Sequence, residues 1–145
     1  MKIIPMIKEK VYRAGVIPYI VENQQIKMMF MKPSDSEWGG TEFQLGKGKV
    51  EEGEGTKDAA LREAGEELGL FKSNILHLEE LGVFLGRTTV FIAKIKDKEM
   101  FGQPNFETEE TAWLTAEEFA AVGRSLHKDM VQVAYRKIIE LEQIL

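Results

Sequence analysis

Two stretches in the first part of the chain have the apolar composition of β-strands. Residues 11–22 (VYRAGVIPYIVE) and 25–33 (QIKMMFMKP) are rich in β-branched, aromatic and methionine side chains, which favour extended structure. Asn23 and Gln24 between them offer a short turn, so a strand pair is predicted. Three methionines of the second strand are expected to fill the core: Met28, Met29 and Met31.

The pattern then changes from extended to helical. Residues 34–42 are polar and contain glycine, which predicts a loop, and 43–49 follow as a short extended piece. A helix is expected after Gly55, with Thr56 as its candidate N-cap and Gly69 as its stop. Four apolar residues are expected to form its buried face: Ala60, Leu61, Ala64 and Leu68.

The second half of the chain predicts two more strands and two more helices. The strands are expected at 75–86 and 88–97, a short helix at 115–122 capped by Thr115, and a longer terminal helix at 128–145. The resulting order β, β, α, β, β, α, α predicts an α/β fold in which helices cover a mixed sheet.

An apolar stripe runs along the predicted terminal helix. Packing of this stripe onto the sheet is the commoner outcome for such a pattern, whereas an exposed stripe would bind a partner protein or a second copy and form a homodimer. The stripe consists of Met130, Ala134, Ile138, Leu141 and Leu145.

Composition narrows the class of protein. With 145 residues the chain is expected to form a single domain over 1–145. The absence of cysteine excludes disulfides, thiol nucleophiles and cysteine-bound metals. A net charge of −5 without a dense basic stripe argues against extended nucleic-acid binding. The first ten residues are too short and charged for a signal-peptide core, and no run of about 20 apolar residues predicts a membrane span, so a cytoplasmic location is expected.

Negative charge is concentrated in residues 48–70, which contain seven carboxylates and three basic side chains. Glu63, Glu66 and Glu67 are spaced by three and four positions, so a helix would bring them to one side about a turn apart. Like charges in this arrangement repel each other, whereas oxygen ligands suit magnesium or manganese. Taken alone, the cluster fits either a divalent-metal site or a solvated charged helix face.

The spacing across residues 48–70 resembles the Nudix box, GX5EX7REUXEEXGU, in which U is an aliphatic residue. Every fixed position of the motif is matched, and Ala64 is smaller than the residue usual at its position. The flanking stretches WGGTEFQLGKG and EETAWLTAEEF are also similar in layout to this family. The matched residues with fixed identity are Gly48, Glu54, Arg62, Glu63, Glu66, Glu67 and Gly69.

This resemblance implies an α/β/α sandwich with a mixed β-sheet and hydrolysis of a nucleoside diphosphate linked to another moiety, with Mg²⁺ or Mn²⁺ as cofactor. Glu66 and Glu67 are implied to bind the metal. Glu63 is implied to be either a further ligand or the base that activates water, and Gly48 to offer its backbone carbonyl.

Further roles follow from position relative to the motif. Arg62 is implied to orient Glu54 or its neighbours. Glu110 is expected to come from a loop opposite the box as another ligand or base, with Glu107 and Glu109 as rivals. A solvated acidic loop is the alternative for all three.

Several residues outside the box are candidates for substrate contacts. Arg13 and Lys47 are expected to hold phosphates, Lys47 the better placed because it adjoins Gly48, and surface ion pairs are the alternative for both. Trp38, in the polar loop, is a candidate for stacking on a base, whereas Phe43 is expected to pack in the core. The two histidines, His77 and His127, are expected to be structural or exposed.

The substrate stays open. Residues 85–88 carry neither the proline of the ADP-ribose subgroup nor the tyrosine of the diadenosine polyphosphate subgroup. A dinucleoside polyphosphate, a nucleotide sugar and a nucleoside triphosphate are therefore all candidates. The alternative function is an idle Nudix-fold module that binds a nucleotide as a sensor, and the intact set of Glu63, Glu66 and Glu67 argues against it.

Overall fold

The predicted strand pair is present as an antiparallel hairpin at the centre of the sheet. In a computed structural model that describes residues 11–144, β1 spans Arg13–Glu22 and β2 spans Gln25–Pro33. Asn23 and Gln24 both have positive φ, 51° and 64°, as a two-residue type I′ turn requires. The expectation that the first ten residues do not form a signal-peptide core concerns residues outside the described range.

Six strands form one mixed sheet in the order β4-β5-β1-β2-β6, and β3 pairs with β1 beside β2. β3 is antiparallel to the first half of β1, β2 is antiparallel to its second half, and β5 runs parallel to β1 along its other side. The remaining strands are β3 Gly46–Lys49, β4 Ile75–Phe84, β5 Thr88–Ile95 and β6 Thr108–Leu114.

Helices cover both faces of this sheet. Helix α1, Thr56–Leu68, packs on one face, and helices α2, Ala116–Val122, and α3, Lys128–Glu142, pack on the other. Each face has its own buried apolar cluster, and alternate residues of β1 enter opposite clusters, as the pleat of a strand requires. The predicted α/β/α sandwich with a mixed sheet is confirmed. None of the helices in the described range is long and apolar enough to cross a membrane.

The ends of α1 agree with the prediction only in part. Gly69 ends the helix with φ at 74°, as expected for a left-handed stop. The predicted N-cap Thr56 is wrong, because extended backbone continues through Gly55, whose carbonyl accepts the first helical hydrogen bond from Ala59 N–H at 3.0 Å. The buried face also differs, since Ala59 is buried and Leu61 is only half-buried.

The apolar stripe of α3 packs onto the sheet. Met130, Ala134 and Ile138 are buried in the cluster on that face, and Leu141 packs against it. These residues are therefore unavailable as an exposed docking stripe, and that alternative is wrong for them. Leu145 lies outside the described residues.

Two alanine substitutions at glycines of one helix end should have opposite effects on stability. A Cβ at Gly69 would lie 2.1 Å from the Gly102 carbonyl oxygen, and a left-handed conformation costs a non-glycine residue about 1–2 kcal/mol by itself. Gly69→Ala is therefore expected to lower the free energy of unfolding by more than about 2 kcal/mol. Urea unfolding would measure this loss in the free energy of unfolding.

Gly65→Ala is the matched control within α1. A Cβ there would lie 3.5 Å from the Leu70 carbonyl oxygen, an ordinary van der Waals contact, and alanine is favoured over glycine in a helix interior by up to about 1 kcal/mol. This variant should be as stable as wild type or more so. Equal losses in both variants would contradict the role assigned to Gly69.

Candidate active site

Two of the acidic residues of α1 are buried. Glu63 and Glu67 are each 8% exposed, whereas Glu66 is exposed. Because Glu63 and Glu67 are four positions apart, they share the helix face that carries Ala60 and Ala64 onto the sheet. The cluster is therefore more than a solvated charged face.

Strand β3 holds both buried carboxylates. The backbone N–H of Lys47 donates to Glu67 Oε2 at 2.8 Å. At Gly48 a Cβ would lie 2.0 Å from the carboxyl carbon of Glu63, so any side chain there would occupy the space that the carboxylate fills. Gly48 is thus required for the approach of α1 to β3.

Arg62 links the acidic residues of the box. Its Nε and Nη2 donate to the two carboxylate oxygens of Glu54 at 2.9 and 3.0 Å, a bidentate pair. Its Nη1 donates to Glu63 Oε1 at 2.8 Å and to Glu66 Oε1 at 3.4 Å, and Nη2 also donates to the Lys49 carbonyl at 3.0 Å. The hydrogen bonds from Arg62 lower the pKa of Glu54 to about 2.

The negative charge of the buried pair is incompletely compensated. Burial, with the charge of Glu63 added, raises the pKa of Glu67 to about 8. Burial also raises the pKa of Glu63, against the opposing effect of Arg62. One guanidinium serves Glu54, Glu63 and Glu66 together, and the charge of Lys47 only partly opposes the effect of burial on Glu67. Such an oxygen-rich set fits a hard divalent cation.

The three carboxylates expected to bind metal do not form a closed set in this arrangement. Within residues 11–144 no three histidine, cysteine, aspartate or glutamate side chains are grouped so that they could hold an ion. Glu63 instead accepts from Arg62, Glu67 from the Lys47 backbone, and Glu66 is exposed.

A cavity of about 560 Å³ opens beside Glu67 and Gly48. Arg13 and Lys49 face each other across the β1–β3 pair, an arrangement of like charges that is unfavourable without an anion. No cation of the cavity wall has a carboxylate within ion-pair distance among the described residues. These cations are Arg13, Lys47, Lys49 and Arg124.

Glu110 does not lie in a loop opposite the box. It is an exposed residue of β6, paired in register with Lys32 of β2. Glu107, its rival from the same region, lines the cavity together with Glu67. The segment that carries Glu107 docks on the end of α1, where Thr108 Oγ1 donates to the Glu67 carbonyl at 2.8 Å.

The aromatic candidates have different outcomes. Trp38 ends a short 3₁₀ turn, Ser36–Trp38, but its side chain lies outside what the structure describes, so its stacking role stays a prediction. Phe43 packs against the buried apolar cluster on the sheet face that α2 and α3 cover, as expected. His77 has a side chain that is 55% exposed, in agreement with the sequence expectation.

Several cavity residues have no signal in the sequence. Arg124 and His127 come from the connection between α2 and α3, distant in sequence from the box, and His127 was expected to be structural or exposed. Leu85 and Leu126 add apolar surface to the wall and are 51% and 53% exposed. Only tertiary packing brings these residues to the carboxylates.

Comparisons with known proteins agree with this architecture. The family model described as NUDIX domain matches residues 11–139. A C. elegans Ap4A hydrolase in a binary complex has a TM-score of 0.73 at 18% identity, over 90% of this chain and 99% of that one. The NUDIX domain of Shewanella oneidensis NrtR, complexed with ADP ribose, has a TM-score of 0.73 at 14% identity, over 91% and 90% of the two chains.

A mutT/nudix family protein from Listeria innocua is similar over 95% of this chain and 99% of its own, with a TM-score of 0.71 and 23% identity. At these identities the likeness shows a shared fold. A search of curated proteins gives no significant match.

The Arg62–Glu54 pair should make stability depend on pH in the acid range. Glu54 has a pKa of about 2 in the folded protein, whereas an unfolded glutamate titrates near ~4.3. The carboxylate therefore stabilises the fold fully above about pH 5, and this contribution is lost as pH falls from ~4.3 through the folded pKa. Glu54→Gln should lower the free energy of unfolding near neutral pH, with a gap to wild type that narrows on acidification.

Urea unfolding at several pH values from about 3 to 7 would measure this gap. Glu52→Gln is the control, because Glu52 is exposed and makes no ion pair within residues 11–144. A gap for Glu54→Gln that stays constant with pH would contradict the assignment.

Proposed function

The chain belongs to the Nudix family, and from that premise we propose that it is a metal-dependent pyrophosphohydrolase acting on a nucleotide derivative. Members of this family hydrolyse pyrophosphate bonds and generally use divalent metal ions. One observation supports the proposal for this chain above the others. The buried carboxylates Glu63 and Glu67 of α1 lie beside β3, and Glu67 borders a cavity whose wall cations have no carboxylate within ion-pair distance among the described residues.

The residues present fit a bound Mg²⁺ or Mn²⁺. Glu63, Glu66 and Glu67 would hold it through their carboxylates and Gly48 through its backbone carbonyl, all oxygen donors. When bound, such an ion neutralises charge on phosphate oxygens and makes water more acidic. Its two positive charges would also oppose the effects of burial and of the Glu63 charge, which raise the pKa of Glu67.

The chain's own residues supply the remaining requirements of the reaction. Lys47 and Arg13 donate to phosphate oxygens and stabilise the negative charge that develops on them as the bond breaks. Arg62 keeps Glu63 and Glu54 in place through its fork of N–H groups. Glu63 serves either as a further metal ligand or as the carboxylate that accepts a proton from the attacking water.

The substrate is a nucleoside diphosphate linked to another group. A dinucleoside polyphosphate, a nucleotide sugar and a nucleoside triphosphate each present phosphates to the cationic wall. Leu85 and Leu126 offer apolar contact to a base or another moiety at the same cavity. The Ap4A hydrolase and the ADP ribose complex among the structural neighbours belong to this range of ligands.

The decisive experiment is a panel of nucleoside diphosphate derivatives incubated with magnesium or manganese. Products and the position of the cleaved bond would be identified by chromatography and ¹⁸O labelling from water. Cleavage of a pyrophosphate bond in at least one compound supports the proposal. Binding of several compounds without turnover would instead support an idle nucleotide-binding module.

Glu67→Gln should remove most turnover and leave the fold intact. The amide oxygen can still accept from Lys47 N–H, but the ligand charge is lost. We expect a fall in kcat on the order of 100-fold or more. Steady-state kinetics across metal concentrations would test this, with thermal melts as the check on folding. Full activity of the variant at every metal concentration would remove Glu67 from the ligand set.

Magnesium should raise the melting temperature, because it binds the folded arrangement of carboxylates and not the unfolded chain. Glu66→Gln should weaken this response. Without metal the variant is expected to be at least as stable as wild type, since one repelling charge is gone. Melts in chelator and at rising magnesium, at constant ionic strength, separate binding from general screening.

The exposed β6 residue Glu110 and the cavity residue Glu107 provide a matched pair for the same titration. Glu107→Gln should weaken the magnesium response, and Glu110→Gln should leave it as in wild type. Equal shifts in wild type and in the Glu66 and Glu107 variants would rule out the metal site.

A further inference from the structure

One fully buried imidazole has no part in the hydrolysis described above. His127 is 0% exposed and directly precedes α3. The backbone N–H of Leu45 donates to its Nδ1 at 3.2 Å. A nitrogen that accepts a hydrogen bond carries no proton, so in the neutral ring the proton lies on Nε2. The contact therefore fixes the tautomer of His127.

The second ring nitrogen has no acceptor among the described residues. Nε2 of His127 exposes less than 1 Å² to solvent and makes no hydrogen bond within residues 11–144. A buried donor left without a partner costs about 1–3 kcal/mol. At a cavity wall such a donor is open to the oxygen of a water or of a ligand as its acceptor.

Two cationic side chains lie close enough to His127 to affect its charge. Lys47 and Arg124 line the same cavity and form no ion pair within the described range, although the carboxylates of Glu67 and Glu63 act on Lys47 from further away. Burial and the positive charges of Lys47 and Arg124 lower the pKa of His127 to about 3, so the ring stays neutral.

The guanidinium of Arg124 is held in position and still has free donors. Its Nη1 donates to the buried Gln44 Oε1 at 3.2 Å, and its backbone N–H donates to the Phe43 carbonyl at 2.8 Å. The start of the 15-residue helix α3 adds a partial positive charge at the same place.

We propose that His127, Lys47 and Arg124 form an anion-binding subsite that takes a phosphate group of the ligand. The assignment of this phosphate to a nucleotide substrate rests on the proposed function. An oxyanion accepts from Nε2–H of His127 and from both cations at once. Since Nε2 exposes less than 1 Å², side chains of the wall shift when the anion enters.

Inorganic pyrophosphate in the presence of chelator is the probe, because it offers the phosphate chemistry without metal or base. Calorimetry gives its dissociation constant, and ¹⁵N-detected spectra of the histidine rings follow Nε2–H of His127. Wild type should bind pyrophosphate and the Nε2–H resonance should move on saturation. Absence of binding, or a resonance that does not respond, would overturn the subsite.

Two substitutions of His127 test the roles of its two ring nitrogens separately. Asparagine keeps an acceptor near the position of Nδ1 for Leu45 N–H but has no donor at the position of Nε2. Glutamine can place an N–H near the position of Nε2 but has no acceptor near the position of Nδ1 for Leu45 N–H. His127→Asn should weaken pyrophosphate binding by at least about tenfold with the smaller loss of melting temperature, and His127→Gln should recover part of the affinity.

Arg124→Gln should also weaken pyrophosphate binding at least about tenfold, which keeps the test valid if both histidine variants fail to fold. The control is Lys72→Gln, the same loss of charge at an exposed residue outside the cavity, and it should bind as wild type. Wild-type affinity in folded His127→Asn or Arg124→Gln would reject the subsite.

The two proposals fail separately. Pyrophosphate binding that depends on His127, with no turnover of any nucleotide, would keep the subsite and reject the hydrolase. Turnover of a nucleotide, with pyrophosphate binding that does not depend on His127 or Arg124, would keep the hydrolase and reject the subsite.

Discussion

The burial of two carboxylates between α1 and β3 is the constraint on which the site depends. Desolvation of Glu63 and Glu67 is unfavourable, and it is offset at three points. Gly48 leaves room for one carboxylate, the Lys47 N–H binds the other, and Arg62 adds positive charge. The Gly48 and Lys47 contacts join the helix to β3, and Arg62 adds a third link by donating to the Lys49 carbonyl, so the geometry of the carboxylates and the packing of α1 cannot be separated.

The small residues of α1 make this approach possible. Ala59, Ala60 and Ala64 are fully buried against the sheet, and their short side chains let the helix axis lie close to β1 and β3. A bulkier face would hold the helix further away, and Glu63 could then not reach the space over Gly48. The alanine at position 64, the one departure from the usual motif, therefore agrees with the close packing seen here.

Local rules in the sequence account for much of the fold and for the acidic half of the site. The signals for the strand pair and for the glycine that ends α1 lie within a few residues, and the spacing of the box lies within residues 48–70. All three features were therefore predictable. The burial of Glu63 and Glu67 was not, because it depends on the rotation of α1 against β3. β6 escaped prediction because its first half is polar and exposed at a sheet edge.

The cationic half of the cavity illustrates the same limit over a longer distance. Arg124 and His127 reach the cavity because the α2–α3 connection is fastened to the segment before β3. Arg124 N–H binds the Phe43 carbonyl, and Leu45 N–H binds His127. These contacts join residues about 80 positions apart, and no periodicity or short motif records them. The presence of Glu107 at the cavity, in place of the expected Glu110, also depends on a tertiary contact, because the segment that carries Glu107 docks on the end of α1.

Several unfavourable local features lie around this cavity. Arg13 and Lys49 are like charges opposite each other, Glu67 is a buried carboxylate, and His127 has a buried donor without an acceptor. Leu85 has φ at 54°, a conformation that bulky residues rarely adopt, and its half-exposed side chain lines the same wall. Sequences are otherwise consistent with their folds at every level, and exceptions concentrate where a ligand or reaction requires them. These energetic costs therefore support the cavity as the candidate functional site on grounds separate from the motif beside it. An anionic ligand together with a cation would relieve the charge repulsion and satisfy the buried donor at the same time.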